Sequence, residues 1–568
     1  MLSRGLALAA FVSLALIAAR AELASAPTFS RDIAPVVYRN CAPCHHVGGA
    51  GPFPLVSYND VKTHARQIAD VTERHYMPPW PPERGYGEFQ DERGLTAEQI
   101  RCIANWVRAG APEGAPADAP EPPEFVGGWQ LGPPDLVLTA SHPFTMAASG
   151  PDIFWNFVFR PDLKTVRNVR ANEIQPGGAE GSRNVHHANL LVDRTGSVAR
   201  LEKSPGTGFP GMDVTIDRNP FDPDSHFLFW KPGSLPYSEP DGLAWQIAPG
   251  NLLVLNTHIQ ASGKTEQIAP KVGLYFTDKP PTRFPLLIQL ENDNALNIPA
   301  GARDFAVADD FRIPVDVDAL AVYPHAHYLG HVLEAYATLP GGTRRWLIRI
   351  PDWDLNWQAV YRYRAPVFLP KGSVISMRYQ YDNSAANPRN PNHPPKRVEA
   401  GDQAKDEMAH LWLQVLPRGE GDHRREIQEA LMGHRLERSP GDFTAHLNLG
   451  AILMSRLDMQ GAIGMLERAV RIDPSSPEAH DMLGSALTSV GRSAEGMAQF
   501  RLALRADPEY TSARYNLSRA LTRAGVLLER AGKLAEALEK FDEALALNPA
   551  NQEAHRSRQV ALQQNAAR

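Results

Sequence analysis

Residues 40–47 read NCAPCHHV, and Cys41, Cys44 and His45 within them have the attachment spacing of a c-type haem. With 3 Cys and 19 His in 568 residues, chance supplies on the order of 0.0005 copies of C-x-x-C-H. An iron–sulfur cluster or a zinc ribbon would need more thiolates than the chain has. A thioredoxin-type pair would need a βαβ setting and has no use for the adjacent histidine. The motif therefore predicts one covalent haem c, with His45 as the proximal iron ligand. The stretch RHYMPPWPP at 74–82 offers Met77 for the opposite side, where prolines fix the backbone and thioether ligation raises the potential. His75 and an open sixth position are the alternatives. The third cysteine, Cys102, reads as a small apolar packing residue, and His46 and His64 as surface residues.

A second group of histidines lies far downstream. NVHHANLLV holds His186 and His187, NTHIQ holds His258, and VYPHAHYLGH holds His325 and His327. Taken singly, each pair is explained by a hydrogen-bonded strand histidine, since chance yields about 0.6 of either pattern. Strand geometry favours the H-x-H pair. Positions i and i+2 point to one face, so His325 and His327 can chelate a single ion. Adjacent His186 and His187 should face opposite ways unless a bulge or strand end intervenes. Imidazoles suit zinc, copper, iron or nickel, and a thioether shifts the choice toward copper. Met408, opening the apolar stretch MAHLWLQV, is a candidate third ligand to the H-x-H pair.

These residues need elements to hold them. Residues 1–26 form an export signal: Arg4, an apolar run from Leu6 to Ala19, and Ala-Ser-Ala before Pro27. It is either cleaved or retained as an anchor. The chain is thus expected in the periplasm of a bacterium, or otherwise exported. Residues 27–110 predict short helices around the haem motif, the last opening with a capping box from Thr96 to Gln99. Five prolines in 111–125 make 111–129 a semi-rigid linker. Residues 130–417 carry β-branched and aromatic runs between turn pairs such as Pro249-Gly250, too many residues for one sandwich; the prediction is two, at 130–280 and 281–417. In 440–568, Pro474 and Pro508 lie 34 apart, as do Leu449, Leu483 and Leu517. That period resembles tetratricopeptide repeats. From Pro508 to Pro549 the spacing is 41; the extra two turns should lengthen a first helix between Leu517 and Gly532. The fold class is therefore multidomain: an all-α haem unit, two all-β sandwiches and an all-α repeat solenoid. The net charge of −6, with both signs interspersed, argues against a nucleic-acid partner.

Taken together and in order, HHANLLV, LVLNTHIQ, YPHAHYLGH and DEMAHLWLQV resemble the copper type II, ascorbate-dependent monooxygenases, the peptidylglycine α-hydroxylating and dopamine β-hydroxylating enzymes. The resemblance covers about 150–417. It implies two jelly-roll sandwiches and two mononuclear coppers. His186, His187 and His258 would hold the electron-transfer copper; His325, His327 and Met408 would hold the catalytic copper that meets dioxygen. There are departures. The region has no cysteine, whereas the animal enzymes carry several disulfides. Tyr323 stands where peptide-amidating members have Arg, and His410 and Trp412 stand where they have Asn and Tyr. The peptide-carboxylate site is therefore not expected here. The sequence-level expectation is a monooxygenase acting on a small C–H substrate, with dioxygen, an external electron donor entering through the haem, and a protein partner on the repeats. A non-catalytic redox-sensing or electron-transfer scaffold is the alternative from a different class. Copper storage is a lesser third and would call for more Met and Cys.

Overall fold

A computed structural model of the full chain describes residues 26–566, apart from 48, 50, 126–128, 178–183 and 213–224. The expected export signal lies outside the described residues. Among the described residues no helix is long and apolar enough to cross a membrane.

The N-terminal unit is helical. Helices Ala34–Asn40, Tyr58–Thr63, Ala65–Glu73 and Ala97–Arg108 enclose a small core of Phe29, Ile33, Val37, Leu55, Val61, Ile68, Ile103 and Trp106. Two of these helices start with reciprocal capping boxes, Ser57 with Asp60 and Thr96 with Gln99, which satisfy orphan backbone donors. Cys102 packs against this core without entering it. His46 and His64 are half-buried, not surface residues: His46 stacks on Phe125 at 3.8 Å and His64 on Phe53 at 3.7 Å.

The β-rich region forms two pairs of larger antiparallel sheets, accompanied by two short two-stranded ones. In the first pair, a four-stranded sheet built on Lys271–Thr277 and Arg167–Gln175 faces a five-stranded sheet centred on Leu252–Ile259, with Ile153–Phe159 and Val185–Asp193 on either side. Phe157, Val169, Leu190, Trp245, Leu255 and Val272 fill the space between. In the second pair, the sheet Leu286–Glu291, His410–Pro417, Val317–His325, Tyr361–Leu369 covers a sheet centred on Val374–Tyr381 and Gly330–Thr338. Alternation sets which residues can do chemistry. In Leu286–Glu291 every second residue, Leu286, Ile288 and Leu290, is buried, so Leu287 and Gln289 point away from the core, toward the first pair.

Residues 80–93, which adjoin the haem motif in sequence, belong structurally to the second sandwich. Phe89 is part of its core and bridges to Tyr363. Glu83 N–H donates to Arg349 O at 2.8 Å, Gln90 N–H to Arg362 O at 2.8 Å, and Arg364 N–H to Glu88 O at 2.9 Å. Glu83 also pairs with Arg349 through its side chain.

The C-terminal region is a run of antiparallel helices. Helix Arg424–Arg438, ahead of the predicted repeats, buries Ile427, Leu431 and Met432 in the second sandwich's core, together with Ala445 and Leu449 of the first repeat. His434 and Arg438 both reach Asp309, at 2.8 and 2.7 Å. Helices Phe443–Ser455 and Pro477–Ser489 have 13 residues each, whereas Thr511–Arg530 has 20, which accounts for the long spacing before Pro549. Gly450, Gly484 and Gly525 recur because a Cβ there would stand about 2.6 Å from Leu466, Phe500 or Phe541 of the next helix.

Candidate metal centre

The haem-motif residues close helix Ala34–Asn40. Cys41 is its C-cap, and the chain turns so that His45 N–H donates to Cys41 O at 2.9 Å. The His45 ring is fixed from both sides. Its Nδ1 lies 3.0 Å from the Phe53 carbonyl, and a Cβ on Gly51 would stand 2.6 Å from the ring. Burial lowers the His45 pKa, so the ring is neutral, donates from Nδ1 and keeps Nε2 for a ligand. A carbonyl that orients the far nitrogen is the usual support of a ligating imidazole. Met77 is half-buried, its N–H donating to Val71 O at 3.1 Å. His75 is exposed, with a left-handed φ of 55°.

His186, His187 and His258 come together, with one ring nitrogen from each within 4.8 Å of the others. A bulge makes this geometry. Strand Val185–Asp193 pairs with Leu252–Ile259 as Val185↔Ile259 and then His187↔His258, leaving His186 as the extra residue. A bulge re-aims a side chain, so adjacent histidines that would face opposite ways in a regular strand converge. His258 stacks on Phe154 at 4.5 Å and 7°. Its Nε2 lies 3.1 Å from Asp152, a bond that holds the Asp152 carboxyl below its ordinary range. His258 Nδ1 and His186 Nε2 are buried with no hydrogen-bond partner. Burial, and then His258, push the His186 pKa down to about 4 and that of His187 well below the ordinary imidazole value. Buried ring nitrogens without partners fit a metal ion.

His325 ends its strand and Ala326 is fully buried, so His325 and His327 share the opposite face. The His325 Nδ1 lies 2.8 Å from Gln358 Oε1 and the His327 Nδ1 3.1 Å from the Asp406 carbonyl. Both acceptors select the tautomer that leaves Nε2 for a ligand. Burial lowers both pKa values, that of His325 strongly. Met408 lines the same cavity. It is tied to the pair by Glu407, a fully buried side chain accepting from His327 N at 2.8 Å, Leu329 N at 2.6 Å and Met408 N at 3.1 Å. Burial pushes Glu407 up to about 8 against those bonds. The donor set, two oriented imidazoles and a thioether, fits a soft-tolerant metal such as copper.

Both clusters open onto one cavity of ≈ 1010 Å³ between the sandwiches, lined also by Phe229, Tyr323, Gln358, His410 and Trp412. Gln358, 1% exposed, stands between the clusters. Its Oε1 accepts from Tyr323 OH at 2.7 Å and from His325, while its Nε2 lies 3.5 Å from His187 Nδ1. His410 is set apart by Asp293, 2.8 Å from its Nε2.

The comparisons with known proteins speak only to the C-terminus. A tetratricopeptide repeat family model matches residues 518–551. No curated protein matches the chain. Among solved structures, MamA is 22% identical over 25% of this chain and 79% of its own, with a TM-score of 0.21. YrrB, described as a tetratricopeptide protein with an unusual peptide-binding site, is 21% identical over 26% of this chain and 72% of its own, TM-score 0.22. The first such domain of Spaghetti (RPAP3), bound to an HSP90 peptide, is 22% identical over 22% of this chain and 93% of its own, TM-score 0.18. The chain is therefore multidomain, with a β-rich region followed by a helical tetratricopeptide-repeat region.

Sequence reasoning missed Asp152, Gln358 and Glu407. The only local signal was at Glu407, an acidic residue directly before an apolar strand. A pH dependence follows from the first cluster. In unfolded chains an imidazole takes a proton near pH 6.5, whereas folded His186 does so near 4. The unfolded form therefore binds more protons in that window. The melting temperature of the metal-free protein should fall as pH drops from 6.5 toward 4, and Asn at 186 should flatten that slope.

Proposed function

We propose that this chain is an exported, periplasmic copper-dependent monooxygenase that hydroxylates a C–H bond with dioxygen and draws its electrons through a fused c-type haem. The observation that carries the reading is the convergence of His186, His187, His258 and of His325, His327, Met408 on one cavity. Buried ring nitrogens without partners in the first cluster are costly unless something occupies them. When bound, copper would supply the electron steps that put one oxygen atom into the C–H bond and release the other as water. The chain's own residues do the rest. Asp152 orients His258, Gln358 and the Asp406 carbonyl orient His325 and His327, and Glu407 fixes the spacing of Met408 to that pair. Phe229, Tyr323 and Trp412 form an aromatic wall, Tyr323 and Trp412 stacked at 5.3 Å. Such a wall excludes water and suits an uncharged, largely apolar substrate.

Cys41, Cys44 and His45 would hold the haem, with Met77 as a further candidate ligand, and the bound group would supply one-electron transfer from an external donor. The repeat region would dock a protein partner, as tetratricopeptide repeats commonly do. The test is metal content and oxygen uptake. After copper loading the protein should hold two coppers and one iron. The reduced form should consume dioxygen only with a suitable member of a panel of small C–H compounds. Two bound coppers with no uptake on any compound would favour the scaffold reading.

A further inference from the structure

The haem motif and the first histidine cluster lie on different units, yet the structure joins them at one point. Cys44 Sγ is 3.9 Å from the Gly233 carbonyl, and Arg93 clamps the contact, its Nη1 3.0 Å from Gly233 O and 3.6 Å from Cys44 Sγ. Gly233 has φ +80°, and a Cβ there would stand 2.7 Å from Cys44 Sγ. Both the backbone and the close approach thus require glycine. Four residues back, Phe229–Trp230 is the edge strand paired with Val185–Asp193, in register Ala188↔Trp230. The Phe229 ring lies 5.7 Å from that of His187. A second line of contacts runs alongside. Tyr76, next to Met77, meets Trp357 edge-on at 6.3 Å, and Lys231 sits 5.4 Å over the same indole. Gln358, beside Trp357, brings its Nε2 to 3.5 Å from His187 Nδ1.

We propose that the Phe229–Gly233 segment, flanked by Trp357, is the conduit by which an electron passes from the Cys44 side of the haem to the His186–His187–His258 cluster. The inference rests on the functional reading above. Tunnelling decays far faster across gaps than along bonded chain. This route has one through-space gap, at Gly233, and one hydrogen-bonded crossing of the β-ladder, into the strand that carries two of the three histidines. In the step one iron is oxidised from ferrous to ferric and one copper is reduced from cupric to cuprous; no proton moves and no bond changes.

The experiment uses full-length protein carrying haem and cupric ion, without dioxygen or substrate. A photoreduced flavin reduces the haem, and its absorption band reports reoxidation. Wild type should reoxidise in a single first-order phase. Gly233→Val places a branched Cβ in the gap and should slow that phase by about tenfold or more, with haem midpoint potential and copper content unchanged. Arg93→Met loosens the same contact without loading the turn. It serves if the valine variant does not accumulate, and should slow the phase in the same sense. Wild-type rates in both variants would overturn the conduit and leave the functional reading standing. No reoxidation in copper-loaded wild type would sink both, because the haem would then not feed copper at all.

Discussion

His258→Ala should bind one copper where the wild type binds two, and its oxygen uptake should fall at least ~100-fold, beyond what the loss of an outer hydrogen-bond partner costs. The variant leaves two imidazoles at a site built for three. It also removes one of the two side chains that hold Asp152, whose carboxyl accepts from the His258 ring and from Gln260 Nε2, both at 3.1 Å. Met408→Ile is its counterpart. Isoleucine nearly conserves side-chain volume, and Met408 is half-buried on the cavity wall, so the fold should be unaffected. Loss of the thioether should abolish dioxygen chemistry while leaving the first cluster able to take an electron from the haem. The two variants are told apart by metal analysis, oxygen uptake and the haem band. Wild-type copper content and uptake in both would remove these residues from the ligand sets.

Cys44→Ala should carry no covalently bound haem, read as the loss of haem staining on a denaturing gel. The two sandwich cores contain neither cysteine of the motif, so the protein should still fold and still bind copper. It should lose turnover driven by an external electron donor. Met77→Ala should keep its haem, lose the sulfur-to-iron absorption band and shift to lower potential. Persistence of that band would exclude Met77 as the ligand.

What could be read from the sequence was whatever is encoded over a short stretch or repeats. C-x-x-C-H needs five residues, H-x-H three, and the helical repeats announce themselves by recurrence at 34. The long helix Thr511–Arg530 followed from the same count. What could not be read depends on register or on distant pairing. His186 and His187 converge only because their strand gains one residue against its neighbour, and no residue type at 185–187 requires a bulge. Gln358 is an ordinary glutamine until folding sets it between His187 and His325, 171 and 33 residues away. Residues 80–93 were grouped with the haem unit by adjacency, yet Phe89 finds its apolar partners more than 190 residues downstream. The helix Arg424–Arg438 was missed because it precedes the first full repeat and its apolar face serves the sandwich.

The strap at 80–93 has a mechanical consequence. The strap continues the chain of the helical unit and is seated in the second sandwich through Phe89, Glu83 and Gln90, while Cys44 of the helical unit touches the first sandwich at Gly233. The two jaws of the cavity are thus bolted to a common third body, like the arms of a clasp. A two-jaw cleft can yawn about its linker; a three-point frame cannot open without breaking one of its joints. Widening the mouth would cost one of these contacts, so the separation of the two histidine clusters is tied to how the helical unit packs.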